Sequence, residues 1–204
     1  MIIIVDYGMG NLGSIRNMLK KAGSDSVISN DREAIENATK LILPGVGAFD
    51  KAMNNLKDLD LIQLLNRKVL LEKTPVLGIC LGMQLMANSS EEGTASGLGW
   101  IDAQVKKFKF PTHIYHKIPH MGWNTVLDTK NNFLFKSMPH KELRYYFVHS
   151  YYFEANNKLD VFGETYHGIT FAAAINKENI YGVQFHPEKS HKFGMQLLKN
   201  FIDI

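Results

Sequence analysis

The chain has 204 residues, 45% of them hydrophobic and 21% charged, with 23 Lys and Arg against 20 Asp and Glu for a net charge of +3. That is enough chain to bury about 70% of its unfolded surface, and the composition is ordinary for a soluble globular protein. Basic residues are scattered, so nucleic acid is not indicated, and the single cysteine, Cys80, excludes an internal disulfide and suits a reducing cytoplasm.

In chain order, Ile2–Val5 reads as a buried strand. Leu12, Ile15, Leu19 and Ala22 follow helical spacing and are closed by Gly23. A short strand at Ser26–Ser29 leads to a helix capped near Asp31 and then to a strand at Lys40–Leu43. A longer helix is expected from Asp60 to Glu72, and the apolar run Pro75-Val76-Leu77 opens the next strand. Beyond it short strands dominate, at Trp100–Phe108, Asn124–Leu127, Leu143–Val148, Val161–Thr165, Ile169–Ala174 and Ile180–Phe185. Ser190 is expected to cap a last helix with Phe193, Leu197 and Phe201 on one face. Strand and helix alternate and then strands follow one another. This predicts an α/β fold with an open, mainly parallel central sheet, helices on both faces and an antiparallel extension, as one domain over residues 1–204. Met1–Val5 lacks a basic n-region and is too short for a signal peptide, so none is expected, and the longest apolar stretch, Pro75–Ala87, is shorter than the ~20 residues of a membrane span.

Chemistry concentrates at Gly78-Ile79-Cys80-Leu81-Gly82. A strand that ends in Gly-x-Cys-x-Gly and runs into a helix, here expected over Gly82 to Asn88, is a nucleophile elbow with a thiol at its tip. The ordinary reading of a lone cysteine is a small buried hydrophobe; two flanking glycines between a strand and a helix argue for the functional one. A helix dipole contributes about 0.3–1 kcal/mol, rising to about 2 when partly buried, against about 1.4 kcal/mol for one pKa unit, so the thiol also needs a basic partner. His186 supplies it. It ends the alternating segment Tyr181, Val183, Phe185, is held extended by Pro187, and has Glu188 two residues on. Cys80, His186 and Glu188 form a candidate triad in which imidazole takes the thiol proton and carboxylate fixes its tautomer.

These motifs, Gly78-Ile79-Cys80-Leu81-Gly82-Met83-Gln84 with His186-Pro187-Glu188, resemble the class I (triad) glutamine amidotransferases. Five further segments narrow the resemblance to the glutaminase subunits of imidazole glycerol phosphate synthases: Asp6–Asn11, Leu43–Phe49, Pro119–Asn124, Tyr146–Tyr151 and His186–Ser190. The resemblance spans nearly the whole chain. It implies hydrolysis of glutamine to glutamate, with ammonia passed into a barrel-shaped cyclase (synthase) subunit of a heterodimer in histidine biosynthesis. It also implies no cofactor, no metal and a cytoplasmic location. By match, Gln84, His149, Ser150 and Tyr151 would bind the substrate. Gly45, Val46 and Gly47, with Leu81, would form the oxyanion site, where two glycines allow a peptide flip that keeps the enzyme nearly silent until the partner binds its own ligand. Asn11, Met121, Trp123, Tyr146 and Lys189 would face the partner.

Four other readings compete. Paralogues of this subunit feed ammonia to synthases of bacterial surface sugars, and the catalytic half would look the same. Gly8-Met9-Gly10-Asn11-Leu12-Gly13 fits G-x-G-x-x-G with Asp31 about twenty residues on, the mark of a dinucleotide-binding domain, but it leaves the elbow unexplained. A cysteine hydrolase acting on another substrate shares the triad, and only Gln84 and the His149–Tyr151 segment favour glutamine. A binding module without activity is disfavoured because all three triad positions are intact. His113, His116 and His120 tempt as metal ligands, but Pro111 and Pro119 argue against the helix that would align them. His191-Lys192-Phe193 departs from the small or acidic residues expected after Lys189-Ser190, and Phe108–Lys117 is unusually basic and aromatic.

Overall fold

The computed structural model describes residues 1–110, 116–138 and 142–204. Five strands form its parallel half: β1 (Ile2–Val5), β2 (Ser26–Ser29), β3 (Lys40–Leu43), β4 (Val76–Ile79) and β12 (Ile180–Val183), in the order β2-β1-β3-β4-β12. Both faces of β1, β3 and β4 are covered, so their residues are nearly all apolar rather than alternating, whereas the edge strand β2 is partly exposed and half polar. In β1, Ile3 and Val5 enter one core and Ile2 and Ile4 the other. The first core takes in α2 (Arg32–Glu36), α3 (Phe49–Asp58) and α4 (Ile62–Asn66); the second takes in α1 (Leu12–Lys21) and α6 (His191–Ile202).

The antiparallel extension continues from β12 through β11 (Thr170–Lys177), β10 (Val161–Tyr166), β7 (His120–Asp128) and β8 (Leu143–His149). A side branch leaves β11 through β9 (Tyr151–Ala155) to β6 (Ala103–Lys107) and β5 (Ser89–Ser90). The extension is larger than the sequence suggests, because β7 runs nine residues and β9 follows β8 after Ser150 alone.

Several elements differ from the sequence expectation. α3 has no counterpart there, although Phe49, Ala52, Met53 and Leu56 carry i, i+3, i+4, i+7 spacing and are all buried. Its N-cap, Ala48, offers no side-chain acceptor, so the usual start signal is missing. The helix expected over Asp60–Glu72 begins after Asp60, which has φ +52°, and loosens at Arg67–Leu71 into a π-helical turn. Gly23, at φ +94°, ends α1 as expected, and Asp31 caps α2 by accepting the Ala34 amide at 2.9 Å. Among the described residues no helix is long and apolar enough to cross a membrane.

Candidate active site

The site lies where β4 and β12 end side by side. Their register pairs Gly78 with Gly182 and Ile79 with Val183, and the Cys80 amide donates to the Val183 carbonyl at 2.8 Å. Cys80 turns sharply, with φ +53° and ψ −108°, a conformation that strains a residue carrying a side chain. The flanking glycines make the turn fit. A Cβ on Gly82 would sit 1.7 Å from the Leu43 carbonyl oxygen, and one on Gly78 would sit 2.7 Å from the Met83 amide. The helix that follows, α5 (Leu81–Gln84), is a single turn rather than the two turns expected to Asn88, so little of a macrodipole acts on the thiol. Leu81 opens α5, and its amide is one of the helix N–H groups with no intrahelical acceptor.

His186 and Glu188 meet as the sequence suggests, but by a different local route. The strand ends at Val183; His186 is extended at φ −103° and ψ 96°, and Pro187–Lys189 form a 3₁₀ turn that folds Glu188 back. His186 Nδ1 donates to Glu188 Oε1 at 2.8 Å, and both side chains are almost fully buried. Nε2 of His186 has no partner at hydrogen-bond distance, yet the Cys80 side chain lies close enough to bear on the ring. Burial opposes charge on the imidazole, but Cys80 and Glu188 outweigh it and hold its pKa up to about 10. Ser190 stands at the start of α6 as expected, though its hydroxyl does not cap it: Oγ donates to the His186 carbonyl at 2.6 Å and accepts the Tyr146 amide at 3.0 Å. Together with the His186 amide on the Tyr146 carbonyl at 2.9 Å, this fastens the histidine segment to β8.

Cys80, only 6% exposed, opens onto a cleft of ≈ 340 Å³. The cleft is lined by Val46, Gly47, Leu81, Gln84, Glu92, Pro119, Val148, His149, Ser150 and Tyr151. Gly45 lies beneath it, packed so tightly that a Cβ there would sit 2.7 Å from the Tyr7 hydroxyl and 2.8 Å from Leu81 Cβ. Tyr7 is buried, donates its hydroxyl to the Pro44 carbonyl, and has its phenol pKa raised by that burial. Gly47 has φ +115°, which glycine tolerates and other residues resist. Glu92 is a site residue the sequence did not reveal. It belongs to none of the motifs, and its Oε2 accepts the Phe49 amide at 2.9 Å, an arrangement only the folded chain displays.

Gln84 and His149 are less free than expected. Gln84 Nε2 donates to the Tyr151 carbonyl and to Gln184 Oε1, each at 3.0 Å, so its oxygen is what remains for a ligand. His149 Nδ1 donates to the same carbonyl at 2.7 Å, and its Nε2 therefore accepts from His120 Nδ1 at 3.0 Å. Asn124 Nδ2 lies 3.1 Å from His120 Nε2 and completes the line. Burial, with neighbouring histidines adding to it, lowers the pKa of both His149 and His120 to about 3 and keeps the rings neutral. His120 stacks on His167, whose ring also meets His116, while His113 lies outside the described residues; among those described, no cluster of three or more ligands fits a metal.

Of the five positions expected to face a partner, Met121 pairs with the cleft residue Val148, and Trp123, Tyr146 and Lys189 are neighbours, while Asn11 is exposed at the N-cap of α1 and accepts the Ser14 amide at 3.3 Å. Met121 is 61% and Trp123 41% exposed, on the strand pair that sets Trp123 opposite Tyr146. Trp123 stacks on His191 with ring centroids 5.6 Å apart, and Lys189 Nζ sits 5.7 Å above the Tyr146 ring. In the stretch matching G-x-G-x-x-G, Gly10 packs against Pro44 and Gly45, so that loop supports the cleft wall.

Comparison with known proteins agrees with this architecture. The family described as "Glutamine amidotransferase class-I" matches residues 3–204. The chain is 57% identical over 202 residues to "Imidazole glycerol phosphate synthase subunit HisH 2" of Methanococcus maripaludis, covering 99% of this chain and 98% of that one. It is 46% identical over 204 residues to the subunit of the same name in Pseudomonas aeruginosa, with all of both chains covered. Among solved structures, one described as a glutamine amidotransferase aligns with a TM-score of 0.75 at 16% identity over 100% of this chain and 98% of that one. PurLQS from Thermotoga maritima aligns at 0.74 and 14% identity over 99% and 97%. At such identities the structural matches speak to the fold alone. This chain belongs to the class I glutamine amidotransferase family.

Proposed function

We propose that the chain is the glutaminase subunit of an imidazole glycerol phosphate synthase, hydrolysing glutamine to glutamate and handing ammonia to a cyclase subunit. One observation carries the reading: the only thiol sits on the floor of an open cleft, beside a buried His186–Glu188 pair held at 2.8 Å. The names and full-length coverage of the relatives support the pathway.

In this mechanism the Cys80 thiolate attacks the carboxamide carbon of glutamine, and the carbonyl π electrons move to oxygen. The oxyanion faces the Leu81 amide and the Val46–Gly47 backbone; one such donor contributes about 10²–10³-fold in kcat. His186, protonated and held by Glu188, gives its proton to the departing nitrogen, so ammonia leaves and a thioester remains. Neutral His186 then takes a proton from water as it attacks the thioester, glutamate departs, and the thiolate is restored beside imidazolium. The Glu92 carboxylate, which also lines the cleft, suits the substrate's α-ammonium, and His149, Ser150 and Tyr151 suit the α-amino and α-carboxylate groups at that same end.

Ammonia acts as a nucleophile only unprotonated, which favours release straight into a partner seated over Met121, Trp123, Tyr146, Lys189 and Asn11. Gly47, at φ +115°, supports a peptide flip in Gly45–Gly47 as the partner's means of control. Glutamate release should therefore be slow for the isolated chain and rise at least tenfold with the cyclase and its ligand present, and Cys80→Ala should abolish it. Equal turnover with and without partner would contradict the regulatory part. Because two relatives carry the name HisH 2, the same assay should be run with a surface-sugar synthase as the alternative acceptor.

A further inference from the structure

We propose that the side-chain amide of Gln184 is a built-in hydrogen-bond donor to the Cys80 sulfur, held in its donating orientation by Gln84. The proposal rests on the reading of Cys80 as nucleophile and adds to it a residue that touches the reacting atom.

The sheet register creates the contact. Ile79 pairs with Val183, so the next residues, Cys80 and Gln184, leave two parallel strands side by side. Gln184 is fully buried, and its Nε2 lies 3.7 Å from Cys80 Sγ. An amide has two ends, and which one faces the sulfur decides its effect: N–H favours thiolate, whereas C=O would disfavour it. Here a backbone carbonyl fixes the choice. The Tyr151 oxygen only accepts, so the end of Gln84 that meets it at 3.0 Å must be Nε2. The same nitrogen reaches Gln184 at 3.0 Å, which must therefore present Oε1 to it. Gln184 is left with its NH₂ toward the sulfur.

The Tyr151 carbonyl is itself anchored by His149 Nδ1 at 2.7 Å, so the orientation is supported by a second hydrogen bond within the fold. The donor is neutral and uncharged at every pH, unlike His186. It therefore keeps acting after His186 has given its proton to ammonia, when the thiolate is due to be regenerated.

Cys80 is the chain's only cysteine, so alkylation by iodoacetamide reports on it alone. The test is the pH profile of that alkylation in the full chain, for the wild type, Gln184→Met and Gln84→Met, with thermal melting as a check on folding. A donor to thiolate predicts that Gln184→Met moves the midpoint up by about one pH unit. Gln84→Met, which frees the Gln184 amide to turn, should move it the same way. A folded Gln184→Met with the wild-type midpoint overturns the proposal; should that variant not fold, an unmoved midpoint in Gln84→Met overturns it instead. Failure of the nucleophile reading looks different: the wild-type profile itself would be that of an ordinary thiol, with no protection by glutamine.

Discussion

At Cys80 the backbone is held at φ +53° by its neighbours, a strain of order 1–3 kcal/mol that the surrounding packing sustains and that aims the sulfur into the cleft. Its partner His186 departs further from ordinary behaviour. With the imidazole pKa raised from 6.5 to about 10, the folded protein binds this proton more tightly than the unfolded chain does. The stabilisation from that proton is complete below about pH 6.5 and is lost as pH rises through about 10, and in the proposed mechanism the acid for ammonia departure disappears over the same upper range. Glu188→Gln removes one of the two groups that raise the value. The alkaline limb of kcat should move to lower pH in this variant and turnover fall by about 10²-fold or more, read from a pH–rate profile. An unchanged alkaline limb would mean that the carboxylate does not hold the ring.

Among the elements, the turn between β4 and α5 shows how two glycines of the same chain differ. Gly82→Ala would drive a Cβ to 1.7 Å from a backbone oxygen in β3, which cannot swing aside, so a loss of about 3 kcal/mol or more is expected in chemical denaturation. Gly13 lies inside α1 with nothing within 4 Å of the place a methyl would take, and Gly13→Ala should stabilise by about 0.5–1 kcal/mol. The elbow was legible in the sequence because glycines, an apolar strand and cysteine are local signals. So were β1, α1 and the capping of α2, marked in turn by an apolar run, helical periodicity and a side-chain acceptor. α3 escaped because Ala48 gives no cap, and β9 because only Ser150 separates it from β8. The short α5 escaped because Leu85, Met86 and Ala87 continue the apolar run after the helix has ended, held by tertiary contacts that spacing does not encode. The joining of Gln84 to Gln184 across 100 residues follows from strand order, which no local pattern reveals.

In the whole molecule, two cores on opposite faces of the parallel strands fix the cleft, and the antiparallel extension builds its far wall and a surface of exposed Met121 and Trp123 beside half-buried Tyr146. A line of hydrogen bonds runs from this extension, through Asn124, His120, His149 and Tyr151, to Gln84. Trp123 is 41% exposed, so Trp123→Ala should lower the melting temperature by only a few degrees, while weakening assembly with the proposed cyclase partner by tenfold or more, measured by calorimetry. Equal losses in both would assign the ring to folding alone.

The most direct measurement is mass spectrometry of the intact chain after treatment with a glutamine-derived diazoketone, with and without excess glutamine. One equivalent of label on Cys80, suppressed by glutamine and slowed at least 10²-fold in His186→Ala, is the predicted result. Label that ignores glutamine, or that forms equally fast without the imidazole, would contradict the account.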